Sequence, residues 1–117
     1  MARRSAIHKV ELMERSEYVR RVLEAYRTAA GTSGAVRRAD RLFAAQLHER
    51  GVPAEAAENA STVAAARRLL RPAGAPPLAT VRSLAYFLPV IEEVLHLQAG
   101  PDYFRYLRSK LQRLTAK

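Results

Sequence analysis

The chain has no cysteine. That excludes disulfide staples, thiolate metal sites and cysteine nucleophiles. Glycine is sparse, with five in 117 residues, and no Gly-rich loop of the phosphate-cradling kind occurs. No apolar run approaches the roughly eighteen residues that mark a transmembrane helix. The basic start Met1-Ala2-Arg3-Arg4-Ser5 is followed by no long apolar stretch, so it does not read as a secretory signal, and a cytoplasmic location is expected. The three histidines, His8, His48 and His96, are dispersed, and no serine stands in a nucleophile motif. The expectation is therefore a non-enzyme with no catalytic residue, no cofactor and no metal. Acidic residues are also scarce: eleven Asp and Glu face twenty Lys and Arg, a formal net charge of +9.

Hydrophobic residues make up 49% of the chain, enough apolar surface to drive folding. Alanine and leucine dominate, which favours helices. The length fits one domain whose core needs no staple. The apolar periodicity predicts an all-α compact bundle of about five helices. The first covers about residues 6–29, with the stripe Val19, Val22, Leu23 and Tyr26 extending less cleanly back through Ile7, Val10 and Met13. Ser16 is an alternative cap for a shorter version, with Glu17 favourable at its positive end. After Gly31-Thr32-Ser33-Gly34, with Ser33 as the expected cap, a second helix runs from about Ala35 to Arg50. Its inner face is Val36, Ala39, Phe43 and Leu47, widened by Leu42.

Gly51 suits a helix C-terminus and Pro53 a first turn. The third helix, about Pro53 to Leu70, is built mainly of alanine, so neighbouring backbones can approach it closely; it is the expected centre of the bundle. Arg67, Arg68 and Arg71 at its end complement the helix dipole. The segment Arg71-Pro72-Ala73-Gly74-Ala75-Pro76-Pro77 breaks the chain. The part beyond it is small for independent folding, so residues 71–79 read as a loop within a single domain, 1–117. Thr80 is the expected cap of a fourth helix, about Val81 to Leu97, kinked or split at Pro89. The fifth helix, from Pro101 or Asp102 to Thr115, is two-faced: Tyr103, Phe104, Leu107, Leu111 and Leu114 are apolar and the basic residues fill the remaining arc. The predicted core is Val19, Val22, Leu23, Phe43, Leu47, Val63, Leu84, Leu88, Ile91, Leu107 and Leu111.

The runs Val81-Arg82-Ser83-Leu84-Ala85-Tyr86-Phe87-Leu88-Pro89-Val90-Ile91-Glu92-Glu93-Val94 and Pro101-Asp102-Tyr103-Phe104-Arg105-Tyr106-Leu107 carry a resemblance. With the stretch from Arg38-Ala39-Asp40-Arg41 to Arg50-Gly51-Val52-Pro53, they resemble a C-terminal helical segment of bacterial replication-initiator-like and mobile-element proteins. There it accompanies a helix-turn-helix region. The resemblance implies DNA transactions and assigns no catalytic residue.

Charge supplies the functional candidates. Residues 101–117 carry five basic groups and one acidic, nearly half of the excess. A small chain this cationic points to a polyanion. Arg37, Arg38 and Arg41 on the second helix, with Arg105, Arg108, Lys110, Arg113 and Lys117 on the fifth, are candidate phosphate contacts. Tyr106, on the polar side beside Lys110, is a candidate for stacking on an unpaired base. The turn Leu47–Pro53 has the Gly of a helix-turn-helix, but Glu55 and Glu58 open the next helix with the wrong charge for DNA. Glu93-Val94-Leu95-His96 has the Glu-x-x-His spacing of di-metal bundles without the second copy they require. The expected partner is nucleic acid, DNA or RNA. The alternative is a protein partner or homo-oligomer docked through apolar helix faces, with charge serving solubility. Membrane binding through the fifth helix is disfavoured, because Leu107, Leu111 and Leu114 suit a protein core equally well.

Overall fold

The computed structural model of the chain describes residues 13–97 and 99–115. They form five α-helices: α1 Arg15–Thr28, α2 Arg38–Glu49, α3 Ala54–Leu69, α4 Leu88–His96 and α5 Pro101–Thr115. A 3-10 turn, Leu84–Phe87, leads directly into α4. The expected all-α fold is present. The fourth helix is split rather than kinked, with Pro89 in the first turn of α4, where its missing N–H breaks no internal bond. The expected extension of the first helix through Ile7 and Val10 lies outside the described residues.

α3 is the centre. α1, α4 and α5 all pack against it, and its Ala56, Ala57, Ala60, Ala65 and Ala66 are buried. Small alanine side chains let three neighbouring helices approach its backbone, while Glu55 and Arg67 stay exposed. Its buried polar residue, Ser61, is satisfied by donating to the Ala57 carbonyl at 3.1 Å. α2 packs outside this group, on α1 and on the 3-10 turn. The core joins Tyr18, Val22 and Tyr26 of α1 to Leu47, Leu84, Phe87, Ile91, Phe104 and Leu107. Of the predicted core, Val19, Phe43, Leu88 and Leu111 are only half-buried.

The α2–α3 corner is closed by Gly51, with φ +74°. The Val52 N–H donates to the Leu47 carbonyl and the Gly51 N–H to the His48 carbonyl, both at 3.0 Å. This pairing satisfies carbonyls a helix end leaves open, and Val52 folds back beside Leu47 in the core. The Tyr18 hydroxyl then donates to the Val52 carbonyl at 2.6 Å, tying α1 to the corner.

Three expected caps are not used. Ser16 lies inside α1, whose N-cap is Glu14, and its hydroxyl donates to the Glu14 carboxylate. Ser33 does not begin α2, which starts five residues later; its hydroxyl accepts from the Ala35 N–H. Thr80 lies four residues ahead of the 3-10 turn. Asp40 caps two elements instead. Its Oδ2 accepts the Arg37 N–H at 2.8 Å and its Oδ1 the Leu84 N–H at 2.9 Å.

This carboxylate also rotates α2 from its expected inner face. Asp40, Ala44, Ala45 and Leu47 are buried, while Ala39 and Leu42 face outward, Leu42 with 54% of its surface exposed. A buried carboxylate stays inside only when hydrogen-bonded; the Arg37 bond is local to the helix, and the Leu84 N–H is the partner that requires this rotation.

The Pro-rich loop is held by arginines. Arg68 donates to the carbonyls of Leu78 and Ala79, and Arg71 to that of Pro76. Beyond the loop, Val81 pairs with the segment after α1: its N–H reaches the Gly31 carbonyl at 2.7 Å, and its carbonyl takes the Ser33 N–H at 3.0 Å. This isolated parallel bridge between Thr32 and Val81 is the extent of extended pairing among the described residues.

Candidate nucleic-acid interface

Among the described residues, most carboxylates are committed. Six ion pairs there engage Arg15 with Glu49, Arg21 with Glu58, Arg27 with Glu24, Arg50 with Glu92, Arg67 with Glu93 and Arg105 with Asp102. Arg21 grips Glu58 with two parallel bonds, 2.6 and 3.0 Å, and ties α1 to α3. That bond to Glu58 is the main reason the Arg21 pKa is raised. Arg27 and Glu24 hold each other the same way, and their mutual hydrogen bond lowers the Glu24 pKa and raises that of Arg27. The Arg67–Glu93 pair, joining α3 to α4, shifts its partners in the same senses for the same reason.

The candidates on α2 are left out of these pairs. Arg37, Arg38 and Arg41 are all exposed around its first turn, and none has a carboxylate at ion-pair distance among the described residues. Asp40 sits between them in sequence but faces inward. By holding Leu84 it brings exposed Arg82, two residues upstream, to the same end of α2. Nothing in the sequence around Arg82 signals its proximity to α2.

The candidates on α5 are mixed. Arg105 is held by Asp102 at 2.8 Å, one turn earlier. Arg108 donates to the Asn59 side chain of α3. Tyr106, Lys110 and Arg113 follow each other at helical spacing along one stripe. Tyr106 is 54% exposed, Arg113 is exposed and Lys110 half-buried. The opposite stripe, Phe104 and Leu107, is buried against α3, while Tyr103 and Leu114, expected on the inner face, are exposed. Lys117 lies outside the described residues. α2 and α5 pack on different elements, so the predicted basic groups stand on separately anchored helices.

The other sequence candidates have structural occupations. α3 follows the Leu47–Pro53 turn as the enclosed central helix, not as a free helix presented to a groove. Glu93 is engaged by Arg67, and His96 Nδ1 donates to the Glu92 carbonyl at 2.7 Å. Among the described residues no group of three His, Asp or Glu side chains is placed to hold a metal ion, and no helix is long and apolar enough to cross a membrane. No family model, curated protein or solved structure matches the chain.

Proposed function

We propose that this is a non-catalytic nucleic-acid-binding accessory protein that contacts phosphates through exposed basic helix faces. The system it serves would be bacterial replication or a mobile element, as the sequence resemblance implies, and its place the cytoplasm. The observation that carries the reading is the division of charge. Among the described residues six arginines are matched to carboxylates, whereas Arg37, Arg38, Arg41, Arg82, Lys110 and Arg113 have no carboxylate at ion-pair distance there. Unmatched guanidinium groups are free to grip phosphate with two donors at once. Such contacts position a nucleic acid without reading its sequence.

A salt titration tests this. Each neutralised phosphate releases counterions, so duplex affinity falls steeply between about 50 and 200 mM salt. A linear decline of log K against log salt, with a slope of roughly −0.9 per phosphate contact, is expected. Absence of binding at low salt, or binding indifferent to salt, overturns the proposal.

One feature favours the alternative of a protein-interaction or oligomerisation module. A groove of about 750 Å³ between α1, α3 and α5 is lined by the small Ala25, Ala29, Ser61 and Ala65 together with the charged Glu55, Glu58 and Arg108. A partner helix there would need polar groups to meet those charges. Light scattering that detects a concentration-dependent dimer, together with no nucleic-acid binding, selects this reading.

A further inference from the structure

The proposed phosphate contacts lie at the start of α2, on neighbouring Arg82 and on α5. A different place in the fold has the composition of a nucleotide pocket. Between the last turns of α3, the end of the Pro-rich loop and the start of α4 is a pocket of about 210 Å³. Arg67, Arg68, Arg71, Leu78, Tyr86 and Val90 line it.

Two of these arginines are unusual within this chain. Arg68 and Arg71 are half-buried, yet each bonds only neutral backbone carbonyls. Neither has a carboxylate at ion-pair distance among the described residues. Partial burial strengthens the attraction of such a cation for an anion. Each guanidinium has five N–H donors, and the loop carbonyls occupy only a share of them. Arg67 adds a third positive charge, offset by Glu93. The C-terminus of α3 contributes about half a negative charge. The local balance remains positive by more than one charge.

The aromatic partner is Tyr86, 60% exposed. It sits in the 3-10 turn between Leu84 and Phe87, both 2% exposed. Phe87 braces it edge-on, with ring centroids 5.8 Å apart, and Asp40 pins the turn from α2. Tyr86 is thus an outward ring on an anchored backbone, at the mouth of a pocket of uncompensated guanidinium groups. Stacking surface beside cations is the chemistry of an unpaired nucleotide: base on the ring, phosphate on the arginines.

We infer that this pocket binds one unpaired nucleotide unit, its base stacked on Tyr86 and its phosphate held by Arg68 and Arg71. The inference rests on the nucleic-acid reading above and adds a preference for single-stranded or frayed segments.

The test is fluorescence anisotropy with a labelled oligothymidylate and a labelled duplex, on the full chain and on Tyr86→Ala, Tyr86→Phe and Arg71→Gln. Circular dichroism checks that each variant is folded. Tyr86→Ala is expected to weaken single-strand binding about tenfold with duplex binding nearly unchanged, and Tyr86→Phe to retain it. Arg71→Gln is expected to reduce the single-strand salt slope by about 0.7. Wild-type protein that binds single strand with no loss in folded Tyr86→Ala overturns the pocket while leaving the α2 and α5 faces standing. Wild-type protein that binds neither probe overturns the nucleic-acid reading, and if thymidine monophosphate also leaves the Tyr86 ring unshifted the pocket falls with it. Proton NMR titration with thymidine monophosphate separates the two sources of the nucleotide. Saturable shifts of the Tyr86 ring with the monophosphate but no single-strand binding assign the pocket to a free nucleotide. Shifts with both assign it to a unit of the strand.

Discussion

Asp40 and Leu84, 44 residues apart, are joined by a hydrogen bond from a buried backbone N–H to a buried carboxylate oxygen. The other oxygen of the same carboxylate caps α2 through the Arg37 N–H. One side chain therefore fixes both the start of α2 and the start of the turn that carries Tyr86 and Phe87. It also sets the rotation of α2, and with it the outward display of Arg38 and Arg41.

Replacing Asp40 with Ala removes both acceptors and leaves the buried Leu84 N–H without a partner. Loss of a helix cap together with a charge-assisted buried bond amounts to about 2–4 kcal/mol. Asp40→Asn keeps one acceptor oxygen but turns an amide donor toward the other N–H, so an intermediate loss is expected. Urea unfolding of the two variants checks the order; equal stability of Asp40→Ala and the parent would show that this junction is not holding the fold.

Gly31 and Arg68 form a second long-range junction. Gly31 has φ +87°, and a Cβ placed there would stand 2.1 Å from Arg68 Nε. Gly31→Ala thus combines left-handed backbone strain with displacement of the guanidinium that holds Leu78 and Ala79. A destabilisation of roughly 2–3 kcal/mol is expected. In an Arg68→Ala background the steric part vanishes, so Gly31→Ala should cost about 1 kcal/mol less there than in the parent. A double-mutant cycle measures that coupling.

Tyr18 and Tyr26, both buried in α1, make opposite predictions. The Tyr18 hydroxyl donates to Val52, and burial pushes its pKa up to about 12 from 10. The folded state therefore holds this proton more tightly than the unfolded state. Its contribution is complete below pH 10 and is lost as pH rises from 10 to about 12, roughly 2–3 kcal/mol in all. Tyr18→Phe should lower stability near pH 7 by about 1 kcal/mol and flatten the alkaline decline. The Tyr26 hydroxyl is enclosed without a well-formed hydrogen bond among the described residues, although Ser33 is close by. Its pKa is also raised, by burial first and then by the charge of Asp40. Tyr26→Phe removes a poorly satisfied polar atom, so neutral or slightly increased stability is expected. Thermal melts of the two variants at pH 7 and pH 10.5 distinguish them.

These junctions mark the limit of what periodicity and local signals reveal. α5 was readable in part: Phe104 and Leu107 do turn to α3, whereas Tyr103 and Leu114 of the same expected stripe are exposed. Gly51 and Pro89 were readable because their backbone demands are intrinsic. Asp40 was not, since a carboxylate flanked by arginines reads as surface, and only Leu84 shows why it turns inward. Ser16 and Thr80 misled for the converse reason: a good capping side chain is no use where tertiary packing starts the helix elsewhere. Arg68 and Arg71 read as dipole partners of α3, whereas they staple a loop whose path the local sequence does not specify. The candidate contacts were identifiable by type, but which of them are already engaged depended on where Asp102 and Asn59 came to lie.

That distinction orders the basic residues by expected effect. Arg105 is already held by Asp102, so Arg105→Ala should change nucleic-acid affinity little. Asp102→Asn, by releasing Arg105, should raise affinity and steepen the salt dependence. Arg38→Ala with Arg41→Ala removes two unmatched exposed cations and should reduce the duplex salt slope by about 1–2. Lys110→Ala with Arg113→Ala should do the same if the nucleic acid also follows the outer stripe of α5. Among the described residues none of the four side chains takes part in a hydrogen bond between helices, so thermal midpoints should move by no more than about 2 °C. Because α2 and α5 are anchored to different elements, the two pairs should act additively on log K. An Arg105→Ala loss as large as that of the α2 pair would mean that charge count, rather than freedom from carboxylate partners, governs the contact.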